Sequence, residues 1–220
     1  MKTLCSICMR GGSKGVKNKH LKKINGKPLL WYTIDQAINS KLFFKIVVST
    51  DSKAIAKASL DAGANHVFIR NKNLAKDNTP KIPVIRDTFL KAEKYFKTKF
   101  ENLIDLDATS PLRQVKDIKE AFNIFLKKKS VNLITACISK KNPYYNIIEI
   151  KNGKINISKL LKKIPDSRQQ TLVTYDMNAS IYIWTRKTIL SHDNIFFKKT
   201  SLYLMPEDRS IDIDSPLDFK

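Results

Sequence analysis

Thr3-Leu4-Cys5-Ser6-Ile7-Cys8-Met9-Arg10-Gly11-Gly12-Ser13-Lys14-Gly15 is a short apolar run that passes directly into a basic, glycine-rich segment. The run has the length of a buried strand, and the glycines permit a tight turn after it. Arg10, Lys14 and the nearby Lys19 set three cations around a backbone whose N–H groups little screens. Such a turn can cradle phosphate oxygens. By itself it is as consistent with a plain turn, because the spacing of Gly11, Gly12 and Gly15 matches neither the P-loop nor the dinucleotide-binding pattern.

Downstream, apolar runs rich in Ile and Val alternate with stretches of helical period, the pattern of a βαβ protein with a mainly parallel sheet. A helix is expected from near Pro28, with Leu30, Ile34 and Ile38 at four-residue spacing. Lys45–Thr50 reads as the second strand, and Asp51 or Ser52 caps an alanine-rich helix that stops before Gly63. Val67–Ile69 is a short strand. Ile82, Ile85, Phe89, Ala92 and Phe96 then recur at helical spacing, with Pro83 tolerated in the first turn.

The run 102–107 reads as a buried strand ending in the loop Ala108-Thr109-Ser110-Pro111-Leu112-Arg113, before a helix carrying Ile118, Ala121, Phe122 and Phe125. A strand over 132–138 follows. Residues 140–177 change character, with short strand-like pieces, Asn152-Gly153 as a hairpin turn and a basic loop over 159–168, so they read as an excursion from the sheet. Strand patterns return at 180–184, 203–205 and 210–214.

A chain of 220 residues can bury one substantial core, and no linker or low-complexity tract divides it, so a single domain over 1–220 is expected. The N-terminal apolar run is too short for a secretory signal and no stretch approaches a membrane span, which points to a cytoplasmic protein. Cys5 and Cys8 form a C-x-x-C pair, but positions 5 and 8 of one strand point to opposite faces, so free thiols are expected rather than a metal knuckle. Forty-one Lys and Arg against twenty Asp and Glu give a net charge of +21, which raises nucleic-acid binding as a rival. The excess is mostly scattered lysine without arginine clusters, so no nucleic-acid partner is expected. The field still attracts anionic substrates.

Asp212 and Asp214 alternate with Ile211 and Ile213. In a strand both carboxylates share one face, about 6–7 Å apart along the backbone, and can converge on one Mg²⁺. Asp105 and Asp107 repeat the pattern, and either pair also suits an ordinary half-buried strand with a wet face. Arg168-Gln169-Gln170 and Asn178 can hold a carboxylate and acylamido groups through bidentate and amide hydrogen bonds, or serve as ordinary loop residues. His20, His66 and His192 lie far apart and form no catalytic triad with a nucleophile.

Taken in order, Arg10–Gly15, Ser49-Thr50-Asp51, Leu74-Ala75-Lys76-Asp77, Thr109–Arg113, Arg168-Gln169-Gln170, Asn178 with Ile181-Tyr182-Ile183, and Ser210–Asp214 make the chain resemble the acylneuraminate cytidylyltransferases over essentially its full length. The resemblance implies a Rossmann-like nucleotidyltransferase fold, α/β with a mainly parallel sheet, helices on both faces and a small dimerisation excursion over 140–177. It implies CTP as co-substrate, Mg²⁺ as cofactor, and a homodimer that takes a nonulosonic acid. Arg10, Gly11, Gly12, Ser13, Lys14, Lys19, Arg70 and Thr109 would bind the nucleotide, with Arg10, Lys14, Lys19 and Asp214 in catalytic roles. Asp212 and Asp214 would hold the metal. Asp107, Asn178 and Tyr182 would belong to the sugar site, and Arg168 and Gln169 would reach the partner subunit's sugar.

In that chemistry the anomeric hydroxyl of the sugar attacks the α-phosphorus of CTP and pyrophosphate leaves. The general base stays open between a carboxylate such as Asp212 and a metal-bound hydroxide. The chain departs from the family pattern at Met9, where alanine is common, at His20, where asparagine near the cytosine is usual, and at Asp107-Ala108, which replace glutamine and proline. Asp105–Ala108, Asn142–Tyr145 and Tyr175–Ser180 look more like the branch of the family that acts on legionaminic acid, a sialic acid analogue of bacterial flagellin and surface glycans. Branches for N-acetylneuraminic acid, pseudaminic acid or an eight-carbon sugar acid are the alternatives.

Overall fold

The computed structural model describes residues 1–12, 15–75, 79–161 and 167–220. In chain order the elements are β1 (Thr3–Cys8), β2 (Lys23–Ile24), β3 (Lys27–Pro28), α1 (Leu29–Ser40), β4 (Lys45–Thr50), α2 (Lys53–Asp61), β5 (His66–Ile69), α3 (Lys81–Tyr95), β6 (Asn102–Leu106), α4 (Val115–Lys127), β7 (Asn132–Ile138), β8 (Ile148–Lys151), β9 (Lys154–Ile157), β10 (Tyr175–Met177), β11 (Ile181–Thr185), α5 (Arg186–Ser191) and β12 (Thr200–Leu204). The main sheet runs β10-β7-β11-β6-β1-β4-β5, with β12 also on β7.

Pairs β6-β1, β1-β4, β4-β5 and β7-β12 are parallel, whereas β11 inserts antiparallel between β6 and β7. β10 and β11 form one interrupted strand. Met177 faces Ala136, and in continued register Ser180 would face Leu133, a place that Ile183 takes instead. The extra residues Asn178 to Ser180 bulge out, and Ala179 carries a positive φ of 52°.

Alternation along the strands sends side chains to two cores. Cys5 and Ile7 pack under α1, α2 and α4 with Leu30, Ile34, Ile55 and Phe122. Leu4 packs on the other face under α3 and α5 with Ile85, Phe89, Trp184 and Ile189. Cys8 lies against that second core, so the two cysteines do point apart, and all three thiols are free. This is the expected α/β fold with helices on both faces.

Two local expectations need correction. Ser52 alone caps α2, its hydroxyl accepting from the Ile55 N–H at 3.3 Å, while Asp51 accepts from the Gly11 N–H at 2.8 Å. Ser210–Asp214 is not a strand: it is irregular chain, tied to the Thr109 carbonyl by one bond from the Ile213 N–H at 2.9 Å. The Asp117 carboxylate, nine tenths or more buried at the start of α4, takes a bidentate pair from Arg209 at 2.9 and 3.0 Å and so fixes the approach to this segment. The excursion contains the β8–β9 hairpin, which turns at Asn152 and Gly153 with φ of 53° and 75°, the two positive angles of the expected tight turn.

Candidate active site

β1, β4, β5 and β6 are parallel and end on one edge of the sheet, where an open α/β sheet presents its crevice. A cleft of about 330 Å³ opens there, and Arg10, Lys19, Arg70, Thr109, Asp107, Asp212 and Asp214 all line it. Arg10 and Asp214, more than two hundred positions apart in sequence, therefore converge. Ser13 and Lys14 lie outside the described residues.

Each side chain is held by its element. Arg70 follows β5 and turns back on β4, donating to the Ser49 carbonyl at 2.9 Å. Lys19 opens a 3₁₀ turn over Lys19–Leu21 and donates to the Ile213 carbonyl at 2.7 Å and to Asp214 Oδ1 at 2.8 Å. It thereby ties the glycine-rich segment to the last segment of the chain. Gly15 closes the same joint: a Cβ there would stand 2.1 Å from the Asp214 carbonyl oxygen, so only glycine allows the two backbones to approach so closely. Gly12 is open to solvent, with nothing within 4 Å of a Cβ.

Thr109 is set by Asp107, whose Oδ1 accepts from the Thr109 N–H at 3.1 Å and hydroxyl at 2.7 Å. The buried Arg113 guanidinium fastens the same loop, donating to the carbonyls of Asp107 at 3.1 Å and Ser180 at 2.7 Å. Asp107 Oδ2 accepts from Lys81 Nζ at 2.9 Å. Burial would raise the Asp107 carboxyl, but the charge and hydrogen bond of Lys81, with those of Thr109, hold it well below the usual carboxylate range.

Asp212 differs. Its Oδ1 is buried without a hydrogen-bond partner, and burial, aided by the charges of Asp107 and Asp214, raises the carboxyl to about 6 against the opposing pull of Thr109 and Lys19. A buried carboxylate oxygen left without a donor suits a hard cation, which binds through one or two carboxylates and completes its shell with phosphate and water. Asp212 thus fits Mg²⁺, with Asp214 beside it on the same cleft. Among the described residues no three His, Cys, Asp or Glu side chains gather into a protein cage for an ion.

The remaining expected sugar-side residues are placed less uniformly. Tyr182 lines a second cavity of about 290 Å³, with Ile82, Ile85, Trp184 and Ile195, that meets the first at Lys81. Gln169 lies in a 3₁₀ turn at Arg168–Gln170 and faces a separate hollow beside Asn142 and Thr174, outside the main cleft of its own chain. Nothing is described of the Arg168 side chain. Asn178 is spent inside the protein: its Oδ1 accepts from Thr135 at 2.7 Å, and its Nδ2 donates to Ser210 at 3.0 Å. It braces the bulge against the last segment and does not line the cleft.

Of the cleft residues that carry no site role in the sequence reading, two have basic side chains. Lys81 is one; its signal was a cation at the first position of a helix, where the macrodipole disfavours positive charge. His20 is the other, noted only as a departure from the family pattern. Its imidazole is buried with Nδ1 unpartnered, and burial lowers its pKa to about 4, so it is neutral at pH 7.

Known proteins resemble this chain in sequence and in fold. The sequence profile of the family described as Cytidylyltransferase matches residues 4–219. The chain is 51% identical over 99% of its length, and 92% of the other's, to "Post-translational flagellin modification protein B" of Campylobacter coli. It has the same identity and coverages to the "CMP-N,N'-diacetyllegionaminic acid synthase" of Campylobacter jejuni. The solved structure of a CMP:2-keto-3-deoxy-manno-octonic acid synthetase complexed with CTP superposes with a TM-score of 0.71 at 13% identity, covering 99% of this chain and 95% of that one, and so shares the fold. With a family profile spanning all but its ends, and relatives matched almost end to end, the chain belongs to the cytidylyltransferase family.

Proposed function

We propose that this chain transfers the cytidylyl group of CTP to the anomeric hydroxyl of a nine-carbon sugar acid, N,N'-diacetyllegionaminic acid, releasing pyrophosphate and forming the CMP-sugar for flagellin or surface glycans. The observation that carries the reading is the 51% identity, over 99% of the chain, to a synthase of that CMP-sugar. The cleft supports it, because it holds Arg10, Lys19 and Arg70, positive charge that a triphosphate needs, together with carboxylates suited to a cation.

In this reading Arg10 and Lys19 draw in the phosphates and stabilise the charge that builds on the leaving pyrophosphate. Arg70, pinned to Ser49, orients the nucleotide. Mg²⁺ held at Asp212 and Asp214, when bound, offsets phosphate charge at the reacting centre. The sugar lies toward Tyr182, with its hydroxyl facing the α-phosphorus from the side opposite the pyrophosphate. A carboxylate such as Asp212 is one candidate to accept the hydroxyl proton.

The excursion supports a homodimer. In the β8–β9 hairpin Ile148 pairs with Ile157 and Ile150 with Ile155, so four isoleucines share one face. Ile150 and Ile155 are 74% and 69% exposed, and Leu172 and Val173 nearby are exposed too. An apolar face of this kind calls for a partner, and a second copy would bring Arg168 and Gln169 toward its neighbour's cleft. No helix among the described residues is long and apolar enough to cross a membrane, in keeping with work in the cytoplasm, where CTP is made.

The test is pyrophosphate release with Mg²⁺, each nucleoside triphosphate in turn, and a panel of nonulosonic acids. Turnover is expected with CTP and N,N'-diacetyllegionaminic acid. Faster turnover with pseudaminic or N-acetylneuraminic acid would reassign the acceptor, and no turnover with CTP and any of them would refute the enzyme reading.

A further inference from the structure

We infer that Lys81 is a specificity-determining residue that binds the carboxylate of the acceptor sugar, and that Asp107 positions its ammonium group. The assignment rests on the proposed function and goes beyond it by moving the role given to Asp107 onto a different side chain.

Asp107 has little left to offer a substrate. Oδ1 accepts twice from Thr109 and Oδ2 accepts from Lys81. Lys81 Nζ also lies 3.3 Å from Asp105 Oδ2 and 4.9 Å from the centre of the Tyr182 ring. One N–H is spent on Asp107, Asp105 Oδ2 is close enough for an ion pair but makes no hydrogen bond, and the Lys81 side chain remains 34% exposed. What this cluster presents outward is an ammonium donor.

Its charged form is favoured. Burial alone would lower the Lys81 pKa, but Asp107 and Asp105 overcome that and hold it above the usual lysine range. Lys81 is also the first residue of the fifteen-residue α3, which has no acidic residue in its first turn. The helix end gains nothing from a cation there; the two positive ends add, and favour an anion in front of them.

Position then selects the anion. Lys81 is shared by the charged cleft, which contains Arg10 and Lys19, and the apolar cavity beside Tyr182. In the ring form of a 2-keto sugar acid, one carbon bears both the attacking hydroxyl and the carboxylate. If the hydroxyl faces the phosphate in the first cavity and the ring lies toward the second, the carboxylate falls at their junction. A neutral sugar would leave the ammonium without this partner.

The experiment compares the sugar acid with its carboxamide, using the full chain, Mg²⁺ and CTP. The parent enzyme should prefer the acid by about tenfold to a hundredfold in kcat/KM, the range a charge-assisted hydrogen bond gives. In Lys81→Met the KM for the acid should rise by a similar factor, the acid-to-amide preference should collapse, and the KM for CTP should stay within about twofold. Because Lys81→Met leaves two carboxylates facing each other, the double variant Lys81→Met, Asp107→Asn, checked for cooperative thermal unfolding, repeats the measurement with both charges removed. Asp107→Asn alone should weaken the preference while retaining part of it.

A preference unchanged in folded variants, or a raised KM for CTP with that for the sugar unmoved, would overturn the assignment alone. Absence of parent turnover on every nonulosonic acid would overturn it together with the function on which it rests.

Discussion

Burial keeps the His20 imidazole neutral, and that gives the native state a measurable dependence on acid. Its pKa falls from 6.5 in the open chain to about 4 in the fold. The stabilisation is complete above about pH 6.5 and is lost as pH falls toward 4, a span worth on the order of 3 kcal/mol. In urea unfolding across that range, the stability gap between the parent and His20→Gln should narrow as pH falls; parallel curves would show that His20 is not the group titrating. At the same scale, Lys19 anchors Asp214 and the Ile213 carbonyl while facing the cleft. Lys19→Met should lower kcat/KM by about 10²–10³-fold, the cost of losing one donor that stabilises transition-state charge. A loss under threefold would remove Lys19 from the machinery. Arg10 and Lys19 do line the cleft, as basic side chains in and beside a glycine-rich turn led one to expect, although the turn alone suited a plain structural role equally well. Lys81 was not legible, since its meaning lies in Asp105 and Asp107, which arrive more than twenty residues later.

At the scale of elements, the junction between the glycine-rich segment and Ser210–Asp214 carries the site. The gap allows no Cβ at Gly15. Gly15→Ala should displace the chain bearing Asp212 and Asp214, lowering activity at least tenfold while far-UV circular dichroism keeps the parent spectrum; parent-like kinetics would show that the approach is not required. The βα units were readable because apolar period and capping residues agree along each of them, as at Lys45–Thr50 followed by Ser52. Ser210–Asp214 misled because alternation of Ile with Asp imitates a half-buried strand. In the fold only Ile213 is buried, whereas Ile211 is 44% exposed, and the anchors are Arg209 on Asp117 and Ile213 on Thr109. Such long-range ties have no periodic signature. Asn178 illustrates the same limit, being a brace for a bulge that sequence does not announce.

For the whole molecule, a charge of +21 spread over the surface draws anions toward a cleft that itself holds both signs. The apolar face of the β8–β9 hairpin is where a second copy is expected. In sedimentation velocity the parent should run as a dimer, and Ile150→Lys with Ile155→Lys should run as a monomer with the parent's circular dichroism; a monomeric parent would refute the dimer. Fold and nucleotide chemistry were the most legible features, since they follow from motif order along the chain, while the acceptor depends on a handful of side chains around Lys81 and Tyr182. The most direct measurement is therefore a competition: equal amounts of N,N'-diacetyllegionaminic, pseudaminic and N-acetylneuraminic acids with limiting CTP and Mg²⁺, and mass spectrometry of the products. The account predicts CMP-N,N'-diacetyllegionaminic acid in clear excess, with pyrophosphate released one for one. A different CMP-sugar in excess, or none at all, would contradict it.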